Sequence, residues 1–255
     1  MRDELENIQN ILNIGGNRMK RKRIALIAAG VIIVGVVTGY TLLDKSLGNN
    51  VQIESVIPGQ ATTAGNGEST TNTGAPVGAA VTADQLNGDW TVTDASKVYW
   101  SVTTSKETVN FVDNKVQGTW KVNIEDSTSM VGEGSVDMSA LESGNGQRDE
   151  HVKGEDFLAV TEFPQSTFVV KSFSELPTEW TEGATVPVEM QGTLTVKGVE
   201  KDVSFQSQAA YSGGQLMLSG TTTVAFSDFG LSNPHTVVLD TENNLEVRLE
   251  LVLKK

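Results

Sequence analysis

Leu245-Glu246-Val247-Arg248-Leu249-Glu250-Leu251-Val252-Leu253 alternates apolar and charged side chains with a period of two. Successive side chains of a strand point to opposite faces, so the apolar positions share one face and Glu246, Arg248 and Glu250 share the other. The same alternation recurs upstream. Val98, Trp100 and Val102 oppose Lys97, Tyr99 and Ser101, and Val116, Gly118, Trp120, Val122 and Ile124 follow the same rule. So do Val186, Val188, Met190, Leu194 and Val196, and then Leu216, Leu218, Val224 and Phe226. One apolar face and one wet face is the pattern of antiparallel sheet with a single buried side. About eight such strands with little helix imply closure into a barrel or sandwich, because closure deals with exposed edges. The polar outer face excludes a membrane-spanning barrel, whose lipid-facing band is apolar.

Ahead of the strands the texture changes twice. Ile24 to Leu43 is a run of 20 residues without a charge. As a helix it would extend about 30 Å, the thickness of a bilayer core. Arg18, Lys20, Arg21, Lys22 and Arg23 crowd its N-terminal side, which places residues 1–23 in the cytoplasm and everything after Leu43 outside. The run exceeds the apolar core of a cleaved leader, and bulky Tyr40-Thr41-Leu42-Leu43 follows where a small-residue cleavage site would stand. It is read as an uncleaved anchor. Residues 44–84 are rich in Thr, Gly, Ala, Asn and Ser, with too little apolar surface to offset chain ordering. They are expected to be a flexible extracytoplasmic linker with an r.m.s. reach of about 35 Å. The folded domain is expected over 85–255.

The chain has no cysteine, which excludes disulfides, thiolate metal sites and a cysteine nucleophile. Its net charge of −13 lies entirely in residues 85–255, since 1–84 balance to zero. Phosphate-dominated nucleic-acid binding needs a basic face, and this domain offers none. The two histidines, His151 and His235, lack the short spacing of a metal pair, so no metal is expected. Asp149, Glu150, Glu155 and Asp156 could serve as acid/base carboxylates, but they read more simply as the solvated face of a short helix. No glycine-rich phosphate loop or nucleophile elbow is present. No enzymatic activity is expected.

Arg148-Asp149-Glu150-His151, followed by Phe157, Phe163-Pro164 and Phe168, breaks the period of two with a polar cluster and spaced aromatics. With Trp90 and Asp94, Gly192-Thr193-Leu194-Thr195-Val196-Lys197-Gly198 and Ser227-Asp228-Phe229-Gly230-Leu231, this order resembles the YceI-like family over roughly Leu86 to Lys255. The resemblance implies a lipocalin-like, polyisoprenoid-binding β-barrel, with short helices near Arg148 to Leu158 beside its opening. It also implies an isoprenoid-type lipid or quinone as ligand, and no other cofactor. The chain departs from the family at Ala95 and Thr104, where histidines are common, and at Phe226, where an arginine commonly precedes Ser-Asp-Phe-Gly. These changes remove polar groups that could meet a head group.

A barrel of about eight strands either fills its interior or holds one small ligand. Gly118, Gly132, Gly134, Gly192 and Gly220 would leave space among the aromatics, or would mark bulges and coiling. The residues leave both readings open, and the resemblance tips the choice toward a cavity. The expected wall is Trp100, Trp120, Phe168, Val170, Met190, Leu194, Leu216, Leu218, Phe226, Leu249 and Leu251. Arg148 and His151 are candidates for the head group, although Asp149 capping the short helix and Arg148 pairing with a neighbouring carboxylate would be structural instead. The leading expectation is a membrane-anchored extracytoplasmic lipid-binding protein. The alternative is a packed barrel serving as an interaction or sensory module of the cell envelope.

Overall fold

The computed structural model describes residues 48–58, 78–233 and 240–255. The expected cytoplasmic segment and transmembrane run, and His235, lie outside the described residues. No helix among the described residues is long and apolar enough to cross a membrane.

In chain order the strands are β1 (Ala80–Val81), β2 (Gly88–Val92), β3 (Lys97–Thr104), β4 (Thr108–Asp113), β5 (Val116–Val122) and β6 (Val131–Asp137). They continue as β7 (Gln165–Phe173), β8 (Trp180–Thr181), β9 (Thr185–Val196), β10 (Val199–Ser212), β11 (Gln215–Ala225) and β12 (Thr241–Lys254). Two helices, α1 (Ala83–Leu86) and α2 (Gly146–Lys153), interrupt them. The order β11-β10-β9-β7-β6-β5-β2-β12 is closed by pairing of β11 with β12, giving an eight-stranded antiparallel barrel. The β3–β4 hairpin extends the wall along β12, and β1 pairs with β8 apart from the ring.

Local chemistry explains the tight connections. Lys197-Gly198 and Gly213-Gly214 take positive φ at both positions, as two-residue turns must when their twist matches that of the flanking strands. Along β12 the expected inward residues, Leu245 to Leu253, are all buried. The end of the barrel where β12 finishes is stoppered by aromatics. Trp90 donates from its indole to the Leu86 carbonyl at 2.8 Å and meets Tyr211 edge-on, and Lys255 sits over its ring. At the opposite end, Phe157 packs edge-on against Phe226, 5.8 Å between centroids.

The structure departs from the sequence reading in the linker. Within 44–84, the stretch Asn49–Pro58 lies across the outside of the barrel, and Ala80–Leu86 forms β1 and α1. The amide of Val56 donates to Glu250 Oε2 at 2.9 Å, and that of Glu54 to the Tyr99 hydroxyl at 3.2 Å. Asn110 donates twice, from its side-chain amide to the Val51 carbonyl at 2.9 Å and from its backbone amide to Asn49 Oδ1 at 3.0 Å. Ile57 is 1% exposed, packed on Ala210, Met217 and Val252. Composition misled because one isoleucine and a few backbone amides suffice to hold an extended strap once a partly apolar wall exists. Burying such a side chain stabilises by about 1.5–3 kcal/mol.

The strap also changes Glu250. Alternation places it on the wet face, yet it is 0% exposed. Its oxygens accept from Val56, and from the Ser219 hydroxyl at 2.7 Å, with Arg248 Nη1 at 3.5 Å. A buried carboxylate needs such partners.

Ile57→Ala should loosen the strap and leave the barrel folded. Amide exchange at Glu54 and Val56 is expected to rise at least about tenfold, as local opening replaces global unfolding as its route. The barrel's unfolding free energy should fall by less than the roughly 2–5 kcal/mol typical of an inward Leu→Ala change such as Leu249→Ala. Unchanged exchange would show that the strap is not held by Ile57.

Candidate functional site

Among the described residues the interior is apolar and closely packed. A cavity of about 50 Å³ lies among Val92, Val98, Val116, Trp120, Val136, Phe168, Leu194, Phe205, Val247, Leu249 and Leu251. Of the residues expected to form the wall, Trp120, Phe168, Leu194, Leu249 and Leu251 border it. Trp100, Val170, Met190, Leu216, Leu218 and Phe226 belong to the same buried cluster but do not line the cavity. Phe205, wholly buried and edge-on to Phe168 at 4.8 Å, was missed by the sequence reading. Its own alternation, with Val203 and Ser207 on the same face of β10, was the signal that could have found it.

The glycine question is answered by close approach. A Cβ on Gly192 would collide with the Val169 carbonyl and the Phe168 ring, and one on Gly118 with the Glu133 carbonyl. One on Gly220 would strike the Ser207 side chain. At these three positions the missing side chain lets neighbours come closer and leaves no void. Ligand pockets commonly hold about 300–1,000 Å³, so a lipid tail enters this interior only if wall side chains move outward.

Polar groups are few within. The indole N–H groups of Trp100 and Trp120 and the Ser207 hydroxyl have no hydrogen-bond partner among the described residues. A buried donor without a partner costs about 1–3 kcal/mol. Trp120, on the cavity wall, can therefore recover that cost by donating to a ligand oxygen.

The polar cluster is engaged in local contacts. Asn145 caps α2, its Oδ1 accepting from the Arg148 amide at 3.2 Å. Asp149 accepts from the Ser143 amide at 2.9 Å and from its hydroxyl. Arg148 donates from Nε to Ser143 Oγ at 2.9 Å and lies 5.8 Å from the centre of the Phe111 ring. Burial holds its pKa below the ordinary guanidinium value. These contacts fasten α2 to the preceding loop. His151 is exposed on α2, and the described contacts do not join it to the cavity wall. Ser227-Asp228-Phe229 lies in the 3-10 turn Phe226–Phe229, which Gly230 ends; Asp228 Oδ2 accepts from the Ala225 amide at 2.9 Å, and Phe229 is buried. Among the described residues no group of three or more His, Cys, Asp or Glu is placed to hold a metal ion.

One buried carboxyl stands out. Asp113, at the end of β4, is 0% exposed. Its Oδ1 accepts from the Lys115 amide at 2.8 Å, while Oδ2 has no partner among the described residues. Burial is the main reason its pKa is pushed up to about 6, with the charge of Asp137 adding to the effect.

Comparison with known proteins agrees with this architecture. A family model described as a YceI-like domain matches residues 90–253. A UPF0312 protein of Shewanella sp. (strain W3-18-1) is 27% identical over 124 residues, 46% of this chain and 61% of the relative. A UPF0312 protein of Pseudomonas putida (strain GB-1) is 32% identical over 111 residues, 39% of this chain and 53% of the relative. The chain thus spans between half and two thirds of the length of these relatives. Among solved structures, BcnA of Burkholderia cenocepacia shares the fold with a TM-score of 0.54 at 20% identity, covering 63% of this chain and 98% of that one. A polyisoprenoid-binding domain from Saccharophagus degradans has a TM-score of 0.53 at 12% identity, covering 65% of this chain and 97% of that one.

Asp113 makes stability depend on pH in a defined direction. The folded state binds its proton more tightly than the unfolded state, whose pKa is near 3.8. Its contribution is therefore fully present below about pH 4 and is lost as pH rises through about 6. Asp113→Asn keeps the acceptor for Lys115 and removes the charge. Denaturant titration should find the variant more stable than the parent at pH 8 by up to about 3 kcal/mol, at roughly 1.4 kcal/mol per pKa unit. The gap should close at pH 4. An equal difference at both pH values would mean that the buried charge is not the cause.

Proposed function

We propose that this chain, which belongs to the YceI-like family, takes the apolar tail of an isoprenoid-type lipid, a polyprenyl or prenyl-quinone-like molecule, into its barrel. The observation that carries the reading is a closed barrel whose inward face is continuous apolar and aromatic surface around a small void. The likeness in fold to a polyisoprenoid-binding domain supports it. Binding alone needs no covalent chemistry, and none is assigned. Ten buried methylene equivalents at about 0.8 kcal/mol each give about 8 kcal/mol before ordering costs, at best micromolar affinity. Tight binding therefore requires a long tail and displaced wall residues. Trp120 is the donor best placed for an oxygen on the ligand.

The same proposal includes location. The uncharged run Ile24–Leu43, with basic residues before it, would anchor the chain in a membrane with the barrel on the extracytoplasmic side. The head-group role of Arg148 and His151 is not needed by this reading, since Arg148 is engaged with Ser143 and Phe111.

The size of the void favours a second reading. A space of about 50 Å³ is far below an ordinary ligand pocket, as expected of a packed barrel that acts as an interaction or sensory module.

Thermal unfolding of the full chain separates the two. Geranylgeraniol at about a hundred times its Kd should stabilise by about 2.7 kcal/mol, a rise in Tm of roughly 5–10 °C. Geraniol, with half the tail, should need a much higher concentration for the same shift. A flat response to both prenols, with no lipid retained in native mass spectrometry, leaves the packed-barrel reading standing.

A further inference from the structure

The barrel wall is not laddered throughout. β9 pairs with β10 from Val199 to Ala210, and β12 pairs with β11 as far as Ala225. Between them, β10 and β11 pair only from Gln206–Thr221 to Ser212–Gln215. The facing edges of residues 199–205 and 222–225 therefore separate. A groove of about 490 Å³ opens there, edged by Ser204, Thr221, Thr223 and Gln206. At its rim Lys201 Nζ and Asp228 Oδ1 meet at 2.8 Å, joining β10 to the 3-10 turn Phe226–Phe229.

What lies inside the splay matters as much. Val203 and Val224 are in the apolar cluster, Val203 at its margin and Val224 buried. Phe205 occupies the last position before the ladder resumes, and it is also a wall of the internal cavity. A polar groove outside, lined by hydroxyls together with Lys201, Asp202 and Asp228, a break in the ladder, and the Phe205 ring beside the void lie in sequence from solvent to interior. A polar head group and an apolar tail need that order of environments.

Resting on the lipid-binding reading, we infer that the β10–β11 splay is the lateral entrance through which the tail reaches the barrel interior. Phe205 is its inner gate, and the Lys201–Asp228 pair its outer latch. The head group stays in the groove, where the Thr221 and Thr223 hydroxyls can exchange hydrogen bonds with hydroxyl or carbonyl oxygens, Ser204 being bonded to Glu189. The ladder on either side remains intact, so opening requires movement of residues 199–205 and 222–225 but no loss of strand pairing.

The absence of native cysteine makes a direct test clean. In full-length Val203→Cys/Val224→Cys, the two positions are bridged by a disulfide or a short bis-maleimide. Uptake of retinol, a fluorescent isoprenoid alcohol, is followed by energy transfer from tryptophan. The bridged protein should take up retinol at least about tenfold more slowly than the same protein unbridged, and reduction of the disulfide should restore the rate. Lys201→Met should speed uptake by about two- to fivefold, the range expected of an exposed ion pair worth up to about 1 kcal/mol. Equal rates with and without the bridge, in a protein that does bind retinol, overturn the entrance and leave lipid binding intact. Absence of retinol binding in the parent chain overturns the binding reading, and the entrance with it.

Discussion

Ten residue pairs between β11 and β12, from Leu216–Leu253 to Ala225–Asn244, turn an open sheet into a ring. Closure removes the long free edges that would otherwise recruit another chain, with the short facing stretches 199–205 and 222–225 left unladdered. It also fixes register. A slip of one residue would send Leu218, Leu249 and Leu251 outward and bring Ser219 and Glu250 into the apolar interior. Because β12 is flanked by β11 on one side and β3 on the other, its outer face lies in the middle of a broad wall. The strap Asn49–Pro58 lies across that wall, and burial of Ile57 and Glu250 follows from the same closure.

The interior shows two demands in tension. Dense packing stabilises the ring: Phe168 against Phe205, Trp120 against Phe173, and backbone against Gly118 and Gly192 leave little free volume. A lipid tail needs the opposite. The features that ease the conflict are local. Trp100 and Trp120 carry indole donors without partners among the described residues, Phe205 stands at the end of a paired region, and the polar groups that do bond well are kept outside. Arg148, Asp149 and Ser143 serve to fasten α2, and Asp228 to cap a turn. Polar residues that resemble a signature in sequence thus act as fasteners for loops around the apolar space.

The legibility of the chain follows the range of the forces involved. β12 could be read from alternation because a strand's two faces are set by its own backbone geometry. The same holds for Trp120, Leu194, Leu249 and Leu251 on the cavity wall, whereas Phe168 came with the spaced aromatics that carry the family resemblance. The strap escaped notice because its stability comes from partners far away. Val56 and Glu250 are 194 positions apart, and no window of composition contains both. Met190 and Leu216 have the right alternation yet stand away from the void, since alternation says which way a side chain points and not what it meets.

The sequence by itself determined the inward and outward faces of the strands, an all-β closed architecture, and a chemistry without thiols. These are properties of short stretches, written in a period of two and in which residue types occur at all. Only the tertiary structure decided that the interior is closely packed among the described residues, that Glu250 is buried under a strap, and that β10 and β11 part beyond Gln206 and Thr221. Each depends on how distant segments meet in space, and neither propensity nor periodicity encodes that distance.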